Sequence, residues 1–136
     1  MFKFFQKIAK QVNKLNTYVN DYRASGREVS LPSYAYVNWG MQLVEEGREE
    51  EALEKFKQSA NMLNSTPDAF VNLGIICAKK GKYEEAITFF NKALKLDSTC
   101  AKAWALLGSA HGELGNKKEA DKAYKMSIKI DRRNFQ

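Results

Sequence analysis

Six of the eight glycines in this 136-residue chain fall into two series with a step of 34: Gly40, Gly74 and Gly108, and Gly47, Gly81 and Gly115. At glycine's ordinary frequency of about 7%, six positions agreeing by chance is on the order of one in ten million. Other positions keep the step. Ala52, Ala86 and Ala120 follow the first series by twelve residues, and Phe56, Phe90 and Tyr124 come four later. Tyr36, Phe70 and Trp104 precede those glycines by four, and Trp39, Leu73 and Leu107 by one. Such a chain folds as a stack of similar units, each too thin to bury its own apolar side.

Within a unit the apolar period is helical. Phe70, Leu73, Ile76 and Cys77 make one stripe, and Ala86, Ile87, Phe90, Ala93 and Leu94 make a second. Between them Gly81 is placed to end the first helix in the left-handed conformation. Pro67 suits a first helical position, with Thr66, and Ser98 or Thr99, as candidate caps. Glycine inside the first helix costs about 1 kcal/mol against alanine. Its threefold recurrence predicts a close crossing, with the small alanine of the second helix brought up to it.

These residues resemble the tetratricopeptide repeat, W-x2-L-G-x2-Y, then A-x3-F, then P. The third unit reads Trp104-x2-Leu107-Gly108-x2-His111, then Ala120-x3-Tyr124. The second reads Phe70-x2-Leu73-Gly74-x2-Cys77, then Ala86-x3-Phe90, and the first Tyr36-x2-Trp39-Gly40-x2-Leu43, then Ala52-x3-Phe56. The closing proline is Ser98 in the second unit and Arg132 in the third. The resemblance covers 33–134 as units 33–66, 67–100 and 101–134. It implies an all-α fold, a right-handed α-solenoid of three helix-turn-helix units; outside it, the residues of 1–32 read as a basic amphipathic helix and linker.

The resemblance further implies a concave face, lined by the first helix of each unit, that holds an extended peptide or a partner's helix. Its lining here would be Tyr34, Val37, Asn38, Met41 and Glu45, then Asp68, Val71, Asn72, Ile75 and Lys79, then Lys102, Ala105, Leu106, Ser109 and Glu113. The family's carboxylate clamp for chaperone C-termini would keep only Asn72 and Lys102, with Val37, Met41 and Leu106 at the other positions. Aliphatic groups cannot replace charge-assisted hydrogen bonds, so a partner with an apolar contact surface is expected instead. The alternative is that Val37, Met41, Val71 and Ile75 are half-buried packing residues. Leu43, Cys77 and His111 share one position and read as core.

Composition excludes more than it selects. No GxxxxGK[ST], GxGxxG or GxSxG is present, and one histidine with two cysteines is a poor start for a zinc site. The expectation is no enzyme, no cofactor and no metal. Two thiols outside any CxxC, and no secretory leader at the start, fit a reducing cytoplasm. The net charge of +6 is uneven: +4 over 1–32, −3 over 33–66, +1 over 67–100 and +4 over 101–134. Lys117, Lys118, Lys122, Lys125 and Lys129 alternate with acids and are not interleaved with aromatics, which argues against nucleic acid.

The first thirty residues depart from the repeat. Phe5, Ile8, Val12, Leu15, Val19 and Tyr22 recur at alternating threes and fours, opposite Lys3, Lys7, Lys10 and Lys14, and Phe2 and Phe4 extend the apolar end. A seam this regular has to be buried against something. It can cap its own repeats. It can pack on a second protomer, where an apolar end around Tyr124, Ile128 and Ile130 lacks the family's usual closing helix. Or it can lie on an anionic membrane at the inner surface. The reading is a protein–protein adaptor, with a peripheral membrane protein as its rival.

Overall fold

A computed structural model describes residues 2–25 and 31–134, without the side chains of Tyr18, Val19, Tyr22 and Arg23. Residues 26–30 of the expected linker, and the side chains of Val19 and Tyr22 of the seam, lie outside the described residues. Seven helices and no strand are found among the described residues: α1 Phe2–Ala24, α2 Ser33–Glu45, α3 Glu49–Ala60, α4 Pro67–Lys79, α5 Tyr83–Leu96, α6 Ala101–Glu113 and α7 Lys117–Asn134. The chain divides into two compact units, Met1–Leu31 and Pro32–Gln136. The second is a stack of three helical hairpins, α2–α3, α4–α5 and α6–α7. No helix among the described residues is long and apolar enough to cross a membrane.

The hairpin turns follow from the second glycine series. Gly47, Gly81 and Gly115 take φ of 75°, 75° and 78°, where a side chain would be strained. Each donates its N–H three residues back, to Val44, Ala78 and Gly112, and the next N–H reaches the carbonyls of Leu43, Cys77 and His111 at 2.8–2.9 Å. This double closure satisfies carbonyls that a helix end leaves open. The sharp reversal folds the second helix back on the first.

The first series acts through packing, and here the partner differs from the expectation. A Cβ on Gly40 would come within 2.5 Å of the Phe56 ring, one on Gly74 would clash likewise with Phe90, and one on Gly108 would lie 3.1 Å from Tyr124. In the first two units the aromatic ring four residues after the alanine presses on the helix, not the alanine; in the third the Ala120 carbonyl, 3.2 Å away, comes up beside the ring as expected. Ala52 and Ala86 are fully buried and let the two backbones approach. Two apolar clusters result, one holding Leu43, Phe56 and Leu73, the other Cys77, Phe90 and Leu107.

Polar ties fix where the first and third hairpins close. Ser59 Oγ donates to the Ser33 carbonyl at 2.9 Å, and Ser127 Oγ to that of Ala101 at 2.9 Å. Ala93 stands at the matching place in the second hairpin. The expected caps form differently. Pro67 opens α4, but Thr66 makes no side-chain cap bond, and the residue before α6 is Cys100. Thr99 instead donates to the Asp97 carboxylate, which pulls that acid below its ordinary pKa, and the Ser98 carbonyl accepts Trp104 Nε1–H at 2.9 Å. At the C-terminal end Tyr124 and Ile128 are exposed as expected, but Ile130 is buried.

Candidate functional site

The first helices α2, α4 and α6 carry the residues read from the sequence as a peptide groove. Tyr34 and Met41, 62% and 48% exposed, stand on α2 with exposed Asn38. On α4, Ile75 is half-buried against the second apolar cluster, and Asn72 donates from Nδ2 to the Asp68 carbonyl at 2.8 Å. Lys102 and Ser109 of α6 are exposed. The exposed apolar side chains of this set therefore stand on α2, while half-buried Ile75, Ala105 and Leu106 supply the apolar members on α4 and α6.

Two of the expected lining residues are corrected. Val37 and Val71 are only 5% and 3% exposed, and each belongs to an apolar cluster together with an alanine of the next first helix, Ala69 or Ala103. Those small neighbours let successive helices close over the valines. The packing alternative therefore holds for them and does not hold for Met41.

Lys79 is not an open cation. Its Nζ lies 3.5 Å from Glu49 Oε1, beside Lys80 at 2.9 Å from Glu50 Oε1, so the end of α4 is tied to the first turn of α3. The hydrogen bond from Lys80 holds the Glu50 carboxyl below its ordinary pKa, and Arg48 does the same for Glu51. Glu46 is lowered too, first by Gln42 and then by Arg48. These pairs are exposed and screened, so they orient the surface more than they stabilise it.

Groups with chemical reactivity are placed apart. Cys77 is buried, and burial pushes its thiol pKa up, with the Glu85 carboxylate adding to the shift. Such a thiol is a poor nucleophile. His111 is half-buried, not in the core as expected, with Nδ1 3.5 Å from Asn116 Nδ2. In the first two units another hairpin follows at this position; after α7 none does among the described residues. No group of three His, Cys, Asp or Glu able to hold a metal occurs among the described residues.

In the N-terminal unit, Phe2, Phe4, Phe5 and Ile8 of α1 are exposed, and the Phe4 and Phe5 rings meet edge-on at 6.1 Å between centroids. Val12 and Leu15 are half-buried. The lysines Lys3, Lys7, Lys10 and Lys14 are exposed.

Stacked hairpins, each closed on a glycine–aromatic contact, define a helical-repeat protein of the binding-scaffold kind. Two family profiles, both described as tetratricopeptide repeat, match residues 67–100 and 101–134. The chain belongs to the tetratricopeptide-repeat family. The hairpin over 33–66 repeats their turn and ring contact. No curated protein matches the sequence. Among solved structures, the second tetratricopeptide domain of Spaghetti (RPAP3), bound to the HSP90 peptide SRMEEVD, is 26% identical with a TM-score of 0.68, over 72% of this chain and 91% of that one. The first such domain of the same protein, also with that peptide, is 21% identical at 0.69, over 76% and 82%. The crystal structure of MamA is 19% identical at 0.70; this chain covers 60% of its length, and 76% of this chain is matched.

Proposed function

We propose that the chain is a non-enzymatic adaptor that captures a peptide or helix of a partner protein along α2, α4 and α6. The observation that carries this is the exposed pair Tyr34 and Met41 on α2, one of the family's ligand-bearing helices. Spaghetti domains of the same fold, solved with a bound peptide, support it. The partner is one with an apolar contact surface. A chaperone C-terminal carboxylate is disfavoured, because Val37 and half-buried Leu106 stand where a clamp needs donors. Tyr34→Glu with Met41→Glu should abolish partner capture from native lysate while leaving the helical circular dichroism intact. Capture that survives both changes would remove the groove as the site.

The exposed phenylalanines of α1 support a second reading, in which the helix docks the adaptor in the cytoplasm on an anionic inner membrane surface. Anionic vesicles should then pellet the wild type but not Phe4→Asp with Ile8→Asp. Equal pelleting ends the membrane role. A mass by light scattering that drops on removing 1–30 would assign the helix to self-assembly.

A further inference from the structure

The opposite side of the stack carries a feature that the groove does not use. α6 packs against both α5 and α7, and an open cleft of about 620 Å³ lies between those second helices. Trp104 and Leu107 of α6, with Ala123 and Met126 of α7, give it an apolar lining. Lys122, Lys125 and Lys129 border it against a single acid, Glu119. None of the three lysines is ion-paired among the described residues.

The repeat explains why the cleft is open here. One step of 34 before Ala123 stands Phe89, and one before that Lys55. Phe89 packs against both apolar clusters, with Lys92 5.6 Å from its ring centre, while Lys55 lies 3.9 Å over the Trp39 ring. The position carries a large side chain in the first two units and only a small, buried alanine in the third. A volume of this size is within the range of ligand sites.

A second depression, of about 370 Å³, shares Lys125 and Lys129 with the cleft and continues past Ile128 to Arg132 and Arg133. From residue 119 to 133 the helix rises about 21 Å, the span of about six extended residues. We propose that this side binds an extended acidic peptide of a partner protein, one apolar side chain seated over Trp104 and Ala123 and a run of carboxylates following the basic edge of α7. The lysine-bearing α1 of a second copy is the wrong sign for this surface. The site is distinct from the groove on the first helices, and its fate does not depend on that proposal.

The probe is a blocked hexapeptide of one phenylalanine and five glutamates, titrated into the labelled full chain and followed by amide and Trp104 indole resonances. Shifts should map to α5, α6 and α7 around the cleft and leave Tyr34 and Met41 unmoved. Ala123→Phe borrows the residue of the preceding unit, should fold, and should weaken binding at least about tenfold, as should Lys125→Glu with Lys129→Glu. Exchanging the peptide's phenylalanine for alanine should weaken it comparably. Absence of shifts at millimolar peptide overturns the site, as does wild-type affinity in a folded Ala123→Phe. If that variant does not fold, the double glutamate variant decides alone. Equal binding of the alanine peptide, or of a single-stranded oligonucleotide of the same charge, reduces the surface to unspecific electrostatics and overturns it too.

Discussion

The glycine inside the first helix gives the strictest test of how this stack holds together, because the three copies are not under equal pressure. At Gly74 an added Cβ would collide with three atoms of the Phe90 ring, a side chain only 1% exposed and central to its cluster. Overpacking of that kind costs about 1–3 kcal/mol. Alanine recovers about 1 kcal/mol of helix propensity. With the ring unable to leave, the upper half of the range applies and Gly74→Ala should destabilise by about 1–2 kcal/mol. At Gly108 the ring met is Tyr124, 3.1 Å away and 42% exposed, which can swing outward. The Ala120 backbone carbonyl, 3.2 Å away, cannot swing aside, so the contact keeps part of its cost; set against the propensity gain, Gly108→Ala should lie within about 1 kcal/mol of neutral. Urea unfolding followed by circular dichroism compares the two, with the slope checked for constancy. A wild-type midpoint for Gly74→Ala, or an equal loss in both variants, would refute ring contact as the reason for the glycines.

Further consequences are open to measurement. Ser59→Ala and Ser127→Ala each remove a hydrogen bond from a buried or nearly buried hydroxyl to a helix-start carbonyl, and each should lower stability by about 1 kcal/mol in the same unfolding assay. Half-exposed Cys100 should be alkylated well before buried Cys77 in the native protein, and mass spectrometry should find both modified together only in denaturant. Glu46, Glu50 and Glu51 have folded pKa values below their ordinary value of 4.5, so the stability they contribute is complete above that pH and is lost as pH falls. The melting temperature should decline on acidification below about pH 4.5, and Glu50→Gln should flatten that decline. Lys80 and Cys77, both raised, act in the other direction: their contribution is present below their ordinary values and fades as pH rises beyond them.

Much of the fold was legible because its determinants are backbone determinants. A positive φ at Gly47, Gly81 and Gly115 and a missing Cβ at Gly40, Gly74 and Gly108 are properties glycine alone supplies, so a step of 34 in glycine is a step of 34 in structure. The aromatic and alanine positions then say which helix faces press together. What periodicity did not reveal is whether the small alanine or the aromatic ring closes the crossing, since Ala86 and Phe90 lie on the same helical stripe and both are buried. The groove was less legible for a related reason. Val37 and Met41 are one turn apart on one face, and burial of the first depends on Ala69 of another helix, a contact between hairpins that no single helix's pattern contains.

The positions that do not repeat are where this chain differs from a generic stack. Lys55, Phe89 and Ala123 occupy one place in three hairpins and give three surfaces: a cation over Trp39, an aromatic bridging two clusters, and an open cleft. Aligning the units by their glycines exposes that series in the sequence itself. Its meaning requires knowing that the place faces a gap between second helices, which only the packing of α6 against α5 and α7 supplies. The scaffold keeps a glycine at the place of Gly74 in all three units, whereas the place of Phe89 holds Lys55, Phe89 and Ala123, each with its own packing. Binding specificity in such a stack is written at the positions its architecture leaves unconstrained.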